Sequence, residues 1–275
     1  MNQLKTQARN IAYRLLLNPS VRKFVEKLPF FRDIQGGMQR THPFDKIYGV
    51  DTSGTFPPDL IQTSGVSTGF INCYLATTPS ITRRALASLP DIEAYTFVDI
   101  GCGKGRALIV ASEFPFTDII GLELSPELAK IAQSNIDKIQ RQFPDRPLIR
   151  VIEGNALEHM VLSGKVVFNI FHSFGPELMT ELIHKIESAL GSTLEHVFFI
   201  YQNPVWGNVL DASPAMKRWF ADTMLFEDAE LGFGDGTRDG VTIWQSVRGA
   251  RAGACPGADR EIVIVEERYV ARIAP

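Results

Sequence analysis

The chain has 275 residues, 45% of them hydrophobic and 21% charged, with a formal net charge of −3. That length suits one large α/β domain with extensions, and the composition is ordinary for a soluble globular protein. The near-neutral charge excludes a global bias toward nucleic acid or acidic membranes, so no nucleic-acid partner is expected. No apolar run is long enough to be a transmembrane segment, and the three cysteines lack metal-ligand spacing, which points to a reducing, cytoplasmic setting.

Residues 1 to 32 carry seven Lys and Arg against Glu26 alone. Ala8, Ile11, Ala12, Leu15 and Leu16 fall at helical spacing. Val21, Phe24, Val25 and Leu28 repeat it after the Asn18-Pro19-Ser20 break. We expect residues 1–40 to form a helical extension packed on the main domain, its charges in water. Residues 41 to 80 are rich in Pro, Gly and Asp and punctuated by Phe44, Tyr48, Phe56, Phe70 and Tyr74. A loop-rich stretch this long inside a domain is usually functional, and its aromatics suggest an ordered lid. Thr78-Pro79-Ser80 reads as a helix start, with Thr78 as N-cap and a helix over 79–89. Residues 41–94 thus form a lid and first helix.

The run Tyr95-Thr96-Phe97-Val98 enters Asp99-Ile100-Gly101-Cys102-Gly103-Lys104-Gly105, and a helical pattern starting at Arg106 leaves it. Strand, glycine-rich turn and helix let a nucleotide-like ligand lie across the end of a parallel sheet. A dinucleotide fingerprint would need glycine at position 106, where Arg stands. The Asp99 carboxylate would repel a pyrophosphate and suit a ligand with a cationic amino group.

Asp118 to Glu123 is a short apolar strand ending in a carboxylate, placed where an acid commonly accepts hydrogen bonds from ribose hydroxyls. Ser125 and Pro126 then start a helix. Leu148 to Glu153 is a third strand, followed by the turn Gly154-Asn155-Ala156. Val166 to Phe171 reads as a buried strand leading into His172-Ser173-Phe174-Gly175-Pro176. His172 has two readings, a base that takes a proton from a hydroxyl or amine, or a histidine bonded to backbone at a strand end. A helix over 177–190, a strand over 196–201, a helix over 215–223, a strand near 224–227 and a last strand over 241–247 follow. Residues 249–275 read as a linker and a C-terminal strand near 261–265.

Asp99 to Gly105 resembles motif I of class I S-adenosylmethionine-dependent methyltransferases. Residues 95–248 then form the cofactor-binding core. The resemblance implies a Rossmann-like doubly wound α/β fold, a seven-stranded sheet with a terminal antiparallel strand. It implies that Asn155 meets the adenine amine and that the backbone of Ala156 faces the ring. The expected cofactor contacts are Asp99, Gly101, Cys102, Gly103, Glu123, Leu124, Asn155, Ala156 and Thr78, and the expected catalytic residues are His172 and Tyr74. Phe44-Asp45-x-x-Tyr48-Gly49-Val50-Asp51-Thr52 and Tyr74-x-x-Thr77-Thr78-Pro79 resemble a bacterial subgroup distantly similar to Dot1-type histone-lysine methyltransferases. The Asn-Pro-Pro-Phe motif of amino-group methylases is replaced here by His-Ser-Phe. The acceptor is expected to be a small-molecule hydroxyl or amine. The alternatives are a protein substrate methylated on lysine and a non-catalytic module that only binds S-adenosylmethionine.

Overall fold

The structure, a computed structural model, describes residues 15–16, 18–25, 27, 40–56, 73–173, 175–233, 236–249, 258–262 and 264. Seven strands form one sheet: β1 (Thr96–Ile100), β2 (Asp118–Glu123), β3 (Ile149–Glu153), β4 (Gly164–Ile170), β5 (Leu194–Gln202), β6 (Met216–Leu225) and β7 (Arg238–Ser246). Their order is β3-β2-β1-β4-β5-β7-β6. The first five are parallel, and β7 inserts antiparallel between β5 and β6. This is the expected doubly wound sheet. The order reverses between β1 and β4, and a crevice opens there at the carboxyl ends of the strands.

Parallel strands buried on both faces need apolar residues at successive positions. Phe97 and Val98 of β1, and Phe198 and Phe199 of β5, point to opposite faces and enter two separate cores. One face is covered by α3 (Pro79–Ala87), α4 (Arg106–Ala111) and α5 (Pro126–Gln142), which contribute Ile81, Leu86, Leu108, Ile109, Ile136 and Ile139. The other is covered by α6 (Ala156–His159), α7 (Pro176–Ala189) and α8 (Gly207–Asp211), through Leu157, Met179, Leu182, Ile186 and Leu210. The caps act as the sequence suggests at α5, where the Ser125 side chain accepts from Leu128 N and Pro126 opens the helix.

One element differs in kind. The helix expected over 215–223 and the strand near 224–227 are a single ten-residue strand, β6. Its pairing with β7 is irregular between Arg218 and Phe220. The irregularity breaks the period-two alternation, so the buried residues Met216, Ala221 and Met224 stand five and three apart, which mimics a helical face.

Of the N-terminal extension, α1 (Pro19–Val25) is described, and Asn18 Oδ1 accepts from Ser20 N at its start. The first expected helix falls mostly outside the described residues; of the C-terminal strand expected near 261–265, Glu261, Ile262 and Ile264 are described and none of the three is in a strand. The expectation that the extension keeps its charges in water fails at Arg22, which is 1% exposed. Its guanidinium pairs with Asp51 and donates to Ser53 O at 3.0 Å. Asp51 follows α2 (Pro43–Tyr48) and also faces the Lys104 ammonium, whose Nζ donates to Ser53 O at 2.7 Å. Burial pulls Lys104 down to about 8, against the opposing pull of Asp51. Asn135 of α5 clamps both segments, donating to Asp51 O and Lys104 O while accepting from Asp51 N.

Segment 40–56 is thus joined to the back of the glycine turn by buried ions. Tyr48 Oη donates to Glu113, just past the end of α4, and Arg83 makes a bidentate pair with the same carboxylate. The Glu230 carboxylate, from the turn between β6 and β7, accepts from Ser80 N and Ser80 Oγ at the start of α3. The middle of the expected lid, residues 57–72, lies outside the described residues.

Replacing Asp51 by Asn leaves Arg22 and Lys104 buried without their countercharge. Removing one member of a buried pair typically costs about 3–5 kcal/mol. We expect Asp51→Asn to lose at least about 3 kcal/mol in urea denaturation, and a loss under about 1 kcal/mol would show that the cluster does not hold the turn.

Candidate functional site

The glycine turn leaves β1 with Gly101 N and Cys102 N donating to Leu122 O of β2, at 2.8 and 3.0 Å. Gly101 and Gly103 adopt φ of 75° and 55°, in the left-handed region. A Cβ on Gly103 would lie 2.2 Å from the Tyr74 ring, and one on Gly101 would lie 2.5 Å from Ser173 Oγ. Both positions therefore require glycine on grounds of space as well as angle.

A cavity opens over this turn. Nine of the expected residues line it: Tyr74, Asp99, Gly101, Cys102, Gly103, Glu123, Leu124, Asn155 and Ala156. Thr77, Arg106, Phe171, Ser173 and Leu178 also line it, none of them among the expected site residues. Among its walls are two buried carboxylates, Asp99 and Glu123, 5% and 6% exposed.

The two differ in their partners. Glu123 accepts from Gly103 N at 2.7 Å through one oxygen and from Ser125 N at 2.8 Å through the other. Each oxygen keeps acceptor capacity, enough for ribose hydroxyls. Burial pushes its carboxyl up, and those backbone donors oppose the push. Asp99 accepts from the Asn169 amide at 2.7 Å. Burial pushes Asp99 up to about 7, the Asn169 hydrogen bond opposes this, and the nearby Glu123 charge adds to it. A buried carboxylate in this state favours a cationic ligand group.

Thr77 carries a second unmet demand. It is buried, it lines the cavity, and its Oγ1 has no hydrogen-bond partner among the described residues. Its carbonyl accepts from Arg106, whose guanidinium also donates to Thr52 Oγ1 and Thr52 O. Arg106, which the sequence reading used only to exclude a dinucleotide pattern, joins segment 40–56 to the segment before α3. Thr78, the expected cofactor contact, is the N-cap of α3 without a side-chain cap bond, and Thr77 supplies the wall instead.

Tyr74 lines the cavity with its hydroxyl already engaged. Its Oη donates to Thr52 O at 2.8 Å, its ring stacks on Phe56, and burial pushes its hydroxyl far above the usual range. Asn155 caps α6, its Oδ1 accepting from Leu157 N at 3.0 Å. One lone pair of that oxygen remains for an amine.

His172 sits at the carboxyl end of β4 with φ of 46°. Phe171 and Ser173 on either side line the cavity, and His172 is not among the lining residues. Its Nδ1 meets Tyr201 Oη at 3.0 Å, and the Trp206 backbone N–H bonds the same hydroxyl. Burial pulls the imidazole down to about 4. This placement gives the expected base role no support.

Residues 93–175 match the model of a family described as "Putative methyltransferase". That span holds the glycine turn, the Glu123 strand end and the Asn155 turn, and the cavity they build fits S-adenosylmethionine. No curated relative matches the chain. Among solved structures, the chain is similar to an RNA methyltransferase from Salinibacter ruber in complex with S-adenosyl-L-homocysteine, at 17% identity, covering 64% of this chain and 96% of that one, with a TM-score of 0.43. It is also similar to an O-methyltransferase from Bacillus cereus, at 16% identity, covering 62% and 82%, with a TM-score of 0.45. At these values they assign no reaction. The expectation that nucleic acid is excluded is nonetheless corrected, since RNA, 23S rRNA and tRNA methyltransferases stand among the similar structures. The narrower resemblance to Dot1-type enzymes gains no support from these matches.

The raised Asp99 value has a thermal signature. Its carboxyl titrates at 3.8 when unperturbed and about 7 when folded. The stability this group contributes is full below the lower value and lost as pH rises through the upper one. We expect the melting temperature of the unliganded protein to fall between about pH 4 and about pH 7, and Asp99→Asn to flatten that fall. Parallel profiles for the two proteins would place the cause elsewhere.

Proposed function

We propose that the protein transfers the methyl group of S-adenosylmethionine to a small-molecule hydroxyl or amine. The observation that carries the cofactor end of this reading is the buried Asp99 carboxylate, which faces the cavity with an uncharged amide as its hydrogen-bond partner. When bound, the sulfonium cofactor supplies an already activated methyl group. The protein's work is then to bind, align and exclude water.

Asp99 would hold the ammonium, and the Thr77 hydroxyl, without a partner among the described residues, offers the same end of the cofactor a further partner. Glu123 would accept the ribose hydroxyls, and Asn155 with Ala156 would take the adenine. Tyr74, packed against Gly103, would keep water from the turn. Phe171, Ser173 and Leu178 would shape the acceptor side, where two of the three walls are apolar. That apolar character supports a small acceptor. His172 would act by position, joining the turns after β4 and β5 through Tyr201 and Trp206. The free thiols Cys73 and Cys102 suit a reducing cytoplasm.

Calorimetry with S-adenosylhomocysteine tests the cofactor assignment. Asp99→Ala and Glu123→Ala each remove a charge-assisted hydrogen bond worth about 1.5–3 kcal/mol, so affinity should fall about tenfold or more. Wild-type affinity in both variants, or equal binding of NADH, would overturn the assignment. Incubation with methyl-labelled cofactor and a fractionated extract tests the acceptor. We expect label in the small-molecule fraction. Label in RNA or protein would assign the acceptor to that class, and tight binding without label in any fraction would leave a binding module.

A further inference from the structure

Behind the cavity, four polar side chains form a row through the core. Asp99 of β1, Asn169 of β4 and Gln202 of β5 lie at the carboxyl ends of neighbouring strands, and Thr82 belongs to the α3 helix that covers them. None of the four is more than 5% exposed. Asn169 Nδ2 donates to Asp99 Oδ1 at 2.7 Å, Gln202 Nε2 donates to Asn169 Oδ1 at 3.3 Å and to Thr82 Oγ1 at 3.2 Å, and Thr82 Oγ1 donates to Thr78 O at 3.3 Å.

With Asp99 ionised, the direction of the first two bonds is fixed. An ionised carboxylate only accepts, so Asn169 must turn its NH₂ toward Asp99 and its carbonyl toward Gln202. That carbonyl requires the Gln202 NH₂, which also reaches the Thr82 hydroxyl. The Thr82 hydroxyl in turn has two acceptors, the carbonyl of Thr78 at 3.3 Å, one residue from the Thr77 wall, and Gln202 Oε1 at 3.5 Å. Buried amides with every orientation fixed by a neighbour are costly to leave half-satisfied and rigid when complete.

We propose that Asn169 is a positioning residue of the cofactor site, its amide locked by Gln202 and Thr82 so that the Asp99 carboxylate is held in one orientation with its charge toward the cavity. The proposal rests on reading the cavity as the site of a cationic cofactor. Asn169 lines no part of the cavity and acts through Asp99. Around Asp99 stand the Glu123 carboxylate from β2, the Cys102 thiol from the turn and the uncharged Asn169 from β4, while Arg106 of α4 lines the same cavity. Among these, Asn169 is the group that favours the ionised form of Asp99 by hydrogen bonding.

The test is an NMR titration of the Asp99 side-chain carboxyl in the unliganded protein, for wild type, Asn169→Leu and the isosteric Thr82→Val. Losing one hydrogen bond to the ionised form should raise the Asp99 midpoint by about one to two pH units in Asn169→Leu. Thr82→Val loosens the far end of the row and should shift it the same way by less. In calorimetry near neutral pH, S-adenosylhomocysteine should bind Asn169→Leu about tenfold more weakly, with the deficit shrinking as pH rises. Variants that melt earlier yet titrate Asp99 where wild type does would show a merely structural row and overturn the proposal. If Asn169→Leu does not fold, Thr82→Val decides on the same readout. Failure of S-adenosylhomocysteine to bind wild type would sink the cofactor reading, while the ligand-free titration would still decide the role of Asn169.

Discussion

A folded chain does not bury a charge without a partner, and the glycine turn of this protein has a buried carboxylate on each side. Behind it, Asp51 is compensated by Arg22 from α1 and Lys104 from the turn itself. In front of it, Asp99 has an amide for its partner and opens on a cavity. The contrast organises the structure. The chain's own cations fix the turn from behind and draw the N-terminal segments onto the core. The charge in front is left for a ligand, and the row from Asp99 to Thr82 holds it in place.

The same arrangement explains why segments distant in sequence converge on one site. Arg106, just past the turn, binds backbone groups of Thr52 and Thr77. Tyr74 fills the space that a glycine at 103 leaves open. Glu230, from the turn between β6 and β7, seats the start of α3. The described parts of the loop-rich segment are thus bound into the core by ions and hydrogen bonds, and of their aromatic residues Tyr74 forms a wall of the cavity.

Much of this was legible in the sequence because local chemistry and the fold agree there. Ser125 and Pro126 start α5, the apolar runs ending at Ile100 and Glu123 are buried strands, and Asp99 and Glu123 reach one cavity. Illegible features depended on partners far along the chain. Arg22 looked like one charge of a solvated face, because its partner Asp51 lies 29 residues away. The β6 strand looked helical, because its irregular pairing with β7 shifts the buried positions. His172 had two readings in the sequence, because its Nδ1 partner, the Tyr201 hydroxyl, lies 29 residues away. Thr77 and Thr78 could not be told apart by pattern, since which hydroxyl faces the cavity depends on how α3 begins.

The central claim is that Asp99 receives the cationic end of S-adenosylmethionine and Glu123 its ribose. A crystal structure with S-adenosylhomocysteine bound tests it most directly. The account predicts the ligand's amino nitrogen on the Asp99 side of the cavity, at about 2.7–3.2 Å from the carboxylate or joined to it through one water, with both ribose hydroxyls turned to Glu123. A ligand seated in the opposite sense, with adenine over Asp99, or bound outside this cavity, would contradict it.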